Sequence, residues 1–228
     1  MRSRQPAVFF RKSSYSQCGE DLIIAFVLEL IHGKRPMRYL DIGANHPFHL
    51  SNTAFLYQLG GEGVLVEPDP YYAKLLRSKR PRDSVVECGV HFTGESIADF
   101  YVMDPPTLNT FSHQEMTRYV EMGHQLNETI QVKLQGVNEL LQQAGVIDFM
   151  NIDVEGLDQA ILEALDWDRF RPTCVCVETI SYETEEEPEK FNAIIELMKD
   201  KGYFPYADTF INTIFIDRRQ WLNRWNKV

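Results

Sequence analysis

Tyr39-Leu40-Asp41-Ile42-Gly43-Ala44-Asn45 joins an apolar strand to an acid and then a glycine, the pattern of a βα turn that receives a ligand. Glycine lets the chain turn sharply and lets its backbone approach whatever binds there. Outward from this turn, residues 51–59 carry a helical pattern and residues 63–67 a second strand, which ends in a second acid within Val64-Leu65-Val66-Glu67-Pro68-Asp69. Strand, glycine turn, helix and strand make a βαβ unit, which predicts a parallel sheet.

The pattern extends on both sides. Residues 1–15 read as an N-terminal arm. Ser16 is a candidate N-cap, Glu20 and Asp21 suit the positive end of a helix, and Leu22, Ile23, Phe26, Val27 and Leu30 recur at helical spacing until Gly33. Residues 71–78 predict a helix, and 84–88 and 97–103 predict strands. Residues 104–128 are polar with scattered aromatics, and a lid or an insertion over the active site is expected there. Further strands are predicted at 132–134, 147–153 and 174–180, and helices at 137–144 and 156–165. An amphipathic helix at 189–199 places Phe191, Ile194, Ile195 and Met198 on one face, and the acidic run 183–189 beside it reads as a solvated loop. Runs at 203–207 and 211–216, joined by Asp208-Thr209-Phe210, predict a hairpin and therefore antiparallel pairing. The expected architecture is one α/β domain over residues 16–228, doubly wound around a mostly parallel sheet that an antiparallel hairpin closes.

The 228 residues are 44% hydrophobic and 25% charged, enough apolar content for a packed core. A net charge of −10 argues against nucleic acid or an anionic membrane as partner and for a small neutral acceptor. The one basic cluster, Lys74, Arg77, Lys79, Arg80 and Arg82, reads as a solvated face. Cys18, Cys88, Cys174 and Cys176 lack metal-ligand spacing, and alternation puts Cys174 and Cys176 on one strand face as small hydrophobes. No signal-peptide layout and no apolar run of bilayer length is present, so a reduced, cytoplasmic protein without membrane insertion is expected.

The two acids carry the chemistry. Glu67, at the end of the second strand, is placed to accept hydrogen bonds from both hydroxyls of a ribose. A dinucleotide-binding oxidoreductase would share this feature but needs Gly-x-Gly-x-x-Gly, whereas Gly43 is followed by Ala44-Asn45-His46-Pro47-Phe48. A pyrophosphate would lack its cradle, and Asp41 would repel phosphates while suiting the α-amino group of a methionine moiety.

The runs Ser16-Gln17-Cys18-Gly19-Glu20-Asp21, DIGANHPFHLSNT (41–53), VEPDP (66–70), NIDVEG (151–156), Val177-Glu178-Thr179 and Asn212-Thr213-Ile214-Phe215 together resemble the FkbM family of methyltransferases. The resemblance spans residues 16–216 and implies a Rossmann-like, seven-stranded class I methyltransferase fold with S-adenosylmethionine as methyl donor. The implied acceptor is a hydroxyl, often of a sugar in a glycan or natural product. Carried over by position, Gln17 and the turn residues Asp41, Gly43 and Asn45 belong to the cofactor site, Asp41, Gly43 and Asn45 holding its methionine part. Glu67 would hold the ribose, and Cys88 and Gly89 would lie by the adenine. Two departures stand out: His46-Pro47 occurs where many members have a glycine, and Leu157-Asp158 where Glu is common in the second place.

Asp153 and Glu155 close the fourth strand, at the edge where this fold presents its acceptor. Asp153 is open to three readings: general base, helix cap, or ligand with Glu178 of a divalent cation such as Mg²⁺. His46 is either a base near the incoming hydroxyl or a residue that hydrogen-bonds its own turn. His113 could reach the site from the 104–128 segment, and Trp167, Trp221 and Trp225 read as packing residues. A non-catalytic binding module of the same fold remains the third reading, although the intact acids weigh against it.

Overall fold

A strand buried on both faces is apolar almost throughout, and β1 (Arg38–Ile42) and β2 (Glu62–Val66), with the more exposed β3 (Ser84–Val86) at the edge, begin a sheet of that kind. The computed structural model describes residues 13–225 other than 92–93, 95, 155, 182–188 and 191. The strands continue with β4 (Gly89–His91), β5 (Ile97–Asp104), β6 (Gln125–Gly136), β7 (Phe149–Ile152) and β8 (Cys174–Glu178). The short β9 (Ile180–Ser181) and β10 (Glu189–Lys190) precede β11 (Tyr203–Asp208) and β12 (Asn212–Asp217). The helices are α1 (Glu20–His32), α2 (Ala54–Gln58), α3 (Pro70–Lys79), α4 (His113–Glu121), α5 (Val137–Ala144), α6 (Asp158–Ala164), α7 (Asn192–Asp200) and α8 (Arg218–Leu222).

Seven strands form one sheet in the order β11-β12-β8-β7-β1-β2-β3. β3, β2, β1, β7 and β8 are parallel, and β12 lies antiparallel between β8 and β11, completing the expected hairpin. The winding reverses between β1 and β7, so the loops leaving these neighbouring strands part and open a crevice at their carboxyl ends. Alternation along each strand divides the core into two layers. Tyr39, Leu65, Phe149, Cys174 and Cys176 pack with residues of α1, α2 and α3, whereas Leu40, Ile42, Val66, Met150, Val175 and Val177 pack with α5, α6 and α7.

Several expectations change. α1 is apolar on nearly all sides, so spacing alone admits two stripes. The buried one is Ile24-Val27-Leu28-Ile31, leaving Phe26 56% exposed. Gly19, in the left-handed region at φ +94°, is the N-cap, while Ser16 Oγ accepts from the N–H groups of Gly19 and Asp21 in the preceding turn. Within the basic cluster, Lys74, Arg77, Lys79 and Arg82 are exposed but Arg80 is wholly buried. Trp167 and Trp221 pack as expected, against Tyr203 and against Phe204 and Tyr206, but Trp225 is exposed. Phe191 and the run 182–188 lie outside the described residues. No helix among the described residues is long and apolar enough to cross a membrane.

The segment without periodicity has a structure of its own. β5 and β6 pair antiparallel from Ile97↔Lys133 to Asp104↔Gln125, and β4 joins β6 in parallel. At the far end of this ribbon, a 3-10 turn (Pro106–Leu108) precedes α4, whose N-cap Ser112 accepts from the N–H of Glu115 at 3.2 Å. Most of β6 is at least partly exposed, so no apolar alternation marked it in the sequence.

Candidate active site

The crevice holds a cavity of about 830 Å³. On one side it is walled by the ends of β1 and β2 and by the start of β4. Gly43 leaves β1 at φ +85°, and Asn45 follows at φ +46°, a conformation asparagine tolerates better than most residues. The N–H groups of Gly43 and Ala44 both donate to the carbonyl of Val66, at 3.0 and 3.1 Å, tying the turn to β2. That of Asn45 donates to Glu67 Oε2 at 2.6 Å.

Glu67 is 3% exposed, and its other oxygen accepts the N–H of Asp69 at 2.8 Å. Burial pushes its carboxyl up to about 8, against the pull of these two backbone donors, and the nearby Asp69 and Asp41 raise it further. A carboxylate offers about four acceptor sites, so two remain for a ligand. Asp41 is engaged differently: Thr53 Oγ1 and Asn151 Nδ2 each donate to one of its oxygens, at 2.5 and 2.9 Å. Burial raises the Asp41 carboxyl, while Thr53, Arg80 and Asn151 oppose the shift. Asp41, with one bond on each oxygen like Glu67, keeps acceptor capacity as well as its field at the cavity it lines.

The β5–β6 tip roofs this side. Asn45 Nδ2 donates to the Pro106 carbonyl and Asn109 Nδ2 to Asp69 Oδ2, both at 3.3 Å. Phe111 sits so close over Gly89 that an added Cβ there would lie 2.3 Å from its ring. Cys88, its thiol pushed up to about 11 by burial, lines the cavity next to Gly89.

The other side is built by three neighbouring strand ends. Register pairs Ile152 with Val177 and Glu178 with Asn212, so Asp153, Glu178 and Asn212 stand side by side, and all three line the cavity. Asp153 is exposed to it. Its N–H donates to the Ile42 carbonyl at 3.0 Å, which fixes its main chain against β1. Leu157, not Asp153, occupies the N-cap of α6, and the carboxylate that braces this loop is Asp158, which accepts from the Val154 N–H at 3.3 Å. The capping reading of Asp153 is thereby corrected. Burial pushes the Asp158 carboxyl up to about 6.

Gln17, Asp41, Gly43, Asn45, Glu67, Cys88 and Gly89 line the same cavity as Asp153 and Glu178. Glu155 lies outside the described residues. His46 is not brought to the cavity wall: its Nδ1 accepts from the N–H groups of Phe48 and His49, at 3.2 and 2.9 Å. Those bonds require the proton on Nε2, which leaves the ring no free basic nitrogen; burial and the neighbouring His49 also lower its pKa. His49 lines the cavity in its place. His113 packs edge-on against Tyr101, and the histidine of the 104–128 segment that lines the cavity is His124. Among the described residues no three His, Cys, Asp or Glu side chains gather as a metal site, so the Mg²⁺ expected at Asp153 and Glu178 finds no third ligand there. Arg118, Tyr119 and His124 of the 104–128 segment also line the cavity and carried no distinguishing pattern in the sequence, whereas Asn52 and Asn151, which line it too, lie within the runs 41–53 and 151–156.

A family model described as the methyltransferase FkbM domain matches residues 41–205, from Asp41 in the turn to Pro205 in β11. The chain belongs to the FkbM methyltransferase family. Its seven-stranded, mostly parallel sheet with an antiparallel hairpin is the class I methyltransferase architecture. No curated protein matches the chain. Among solved structures, it is similar to the 1,6-didemethyltoxoflavin-N1-methyltransferase of Burkholderia thailandensis at 13% identity, over 87% of this chain and 77% of that one, with a TM-score of 0.43. It is also similar to an O-methyltransferase of Bacillus cereus, at 14% identity over 88% and 81% of the two chains, with a TM-score of 0.43. A TehB-like methyltransferase of Corynebacterium glutamicum gives 11% identity, 88% of each chain and 0.44.

Proposed function

We propose that this FkbM-family chain is an S-adenosylmethionine-dependent O-methyltransferase acting on a hydroxyl of a small molecule, a sugar of a glycan or natural product. The observation that carries the reading is Glu67: a buried acid, held by two backbone N–H groups, with two acceptor sites left for a ribose diol. When bound, the cofactor supplies a methyl group activated on a sulfonium. Glu67 binds the ribose hydroxyls, the Asp41 field favours the positive α-amino and sulfonium groups, and the lid residues Phe111 and Asn109 keep water from the β2–β4 side. Asp153, in an exposed position on the opposite wall, would take the proton that the acceptor hydroxyl gives up when it receives the methyl group. Asn212 and Glu178 stand beside it as hydrogen-bonding groups suited to a polyol.

Glu67→Ala is expected to weaken S-adenosylhomocysteine binding by roughly 10- to 150-fold, the loss of about 1.5–3 kcal/mol for hydrogen bonds to a charged group. Calorimetry checks it, and unchanged affinity in a folded variant would remove Glu67 from the site. Methyl transfer is checked with labelled cofactor against a panel of free and nucleotide-linked sugars. Labelling confined to protein side chains or nucleic acid would overturn the acceptor class.

The elevated Glu67 carboxyl makes binding pH-dependent. Ribose hydroxyls donate more strongly to the ionised form than to the protonated carboxyl, so ligand binding favours loss of a proton, and affinity should climb as pH rises toward about 8 and level off above it. Stability of the unliganded chain runs the other way. Between about 4.5 and about 8 the folded state holds a proton that the unfolded chain has lost, so rising pH lowers its stability across that window. Calorimetric titration in buffers of different ionisation heat should register proton release near neutrality, and Glu67→Gln should abolish it. Equal release by both proteins would refute the assignment.

A further inference from the structure

We propose that Arg80 is a positioning residue for the cofactor side of the cavity, holding the loop 46–53 and aiming Asp41 through Thr53 without touching a ligand. The inference rests on the reading above of which side receives the cofactor.

Residues 43–53 contain no helix or strand, and Asn45 and Leu50 are both left-handed non-glycine residues, at φ +46° and +54°. Such a loop needs an external frame to keep one shape. It nevertheless supplies Asn45, His49, Leu50, Ser51 and Asn52 to the cavity wall. Arg80 is wholly buried behind that wall. Its Nη1 donates to Thr53 Oγ1 at 3.0 Å, Ser51 Oγ at 3.4 Å and the Pro47 carbonyl at 3.5 Å. The remaining nitrogens point back to the sheet: Nε donates to Asp83 Oδ2 at 2.7 Å and Nη2 to Tyr39 OH at 3.1 Å. Tyr39 OH in turn donates to Asp83 Oδ1 at 2.8 Å. One planar guanidinium thus ties three points of the loop to β1 and to the residue preceding β3, a geometry that a lysine ammonium cannot reproduce.

The direction of the relay is set by chemistry. A guanidinium only donates, so Thr53 Oγ1 accepts from Arg80 and spends its single proton on Asp41 Oδ2. The other Asp41 oxygen is fixed by Asn151, whose own Oδ1 accepts from Asn52 Nδ2 at 2.9 Å and so returns to the loop. Arg80 also supplies the positive charge that offsets Asp41 and Asp83 in a buried setting. Its removal leaves buried carboxylates without their counterion.

The test uses the full chain and S-adenosylhomocysteine as probe, with calorimetry for affinity and hydrogen exchange for the loop. Arg80→Met should weaken binding by about tenfold or more, with faster exchange at 46–53 and unchanged exchange in β1 and β7. Arg80→Lys should recover only part of the affinity. Thr53→Val, which leaves the charges in place, should also weaken binding, and the double variant should bind no more weakly than Arg80→Met alone, because both act on one relay. Wild-type affinity in folded Arg80→Met, or losses that add in the double variant with exchange rising throughout the sheet, would overturn the proposal. Should Arg80→Met not fold, wild-type affinity in Thr53→Val overturns it. A wild-type chain that fails to bind the probe would sink the cofactor reading instead; unchanged exchange at 46–53 in Arg80→Met would then separately refute the clamp.

Discussion

Asp153→Asn is expected to lower methyl transfer by roughly 10²- to 10⁴-fold, the range associated with losing a positioned general base. A sugar hydroxyl is a weak nucleophile near neutral pH, so its proton must leave as oxygen attacks. Asp153 is suited to take it because its main chain is anchored to β1 through the Ile42 carbonyl while its side chain opens to the cavity. Asparagine has nearly the same shape and still accepts a hydrogen bond, but it cannot hold the proton. S-adenosylhomocysteine affinity should stay within about twofold, since the interaction removed is made only as the reaction proceeds. Initial rates on an acceptor found with the sugar panel, together with calorimetry on the same preparation, provide the measurement. Full turnover in a folded Asp153→Asn variant would take Asp153 out of the proton's path, and a matching collapse in cofactor affinity would make it a binding residue instead.

The sheet and half of the site were legible because parallel strands advertise themselves. Runs such as Val64-Leu65-Val66 are apolar without interruption, and an acid, Asp41 next to the end of β1 and Glu67 just past β2, breaks each run at the edge where the cavity opens. Arg80 was not legible, since a charge count cannot tell a buried guanidinium from the solvated lysines beside it; what buries it is Asp83, Tyr39 and Thr53, brought together only by folding. His46 was ambiguous for a related reason. A histidine in a cofactor turn has the right chemistry for a base, and only the two N–H groups aimed at its Nδ1 reveal its structural use. The β5–β6 ribbon and its tip resisted reading because a partly exposed ribbon buries too few side chains to impose a period. Its contribution to the cavity comes from contacts across the fold, among them Phe111 over Gly89 and Asn109 to Asp69.

Gly43→Ala is expected to be the most damaging single methyl group in the chain, and to harm cofactor binding and turnover together. Alanine at φ +85° carries a left-handed penalty of about 1–2 kcal/mol. Its Cβ would also lie 1.9 Å from the Asp153 carbonyl oxygen and 2.9 Å from the carbonyl carbon. That neighbour is backbone and cannot rotate away. Relief requires β1 and β7 to part, and the bonds from Gly43 and Ala44 to the Val66 carbonyl and from Asp153 to the Ile42 carbonyl resist it. Overpacking of this kind adds roughly 1–3 kcal/mol or more, and at about 2–4 °C per kcal/mol for a chain of this size the melting temperature should fall by roughly 5–20 °C. Gly145→Ala isolates the steric part. Gly145 also has a positive φ, +72°, but an added Cβ there meets nothing within 4 Å, so that variant should suffer only the penalty of its own backbone conformation. Thermal unfolding of the two variants side by side decides the matter: if Gly43→Ala melts no lower than Gly145→Ala, the close approach of β1 to Asp153 is not what requires glycine. Where Gly43→Ala remains folded in the cold, it should lose S-adenosylhomocysteine affinity as well as turnover, unlike Asp153→Asn, because one displaced turn moves Asn45 away from Glu67 and Asp153 away from the acceptor.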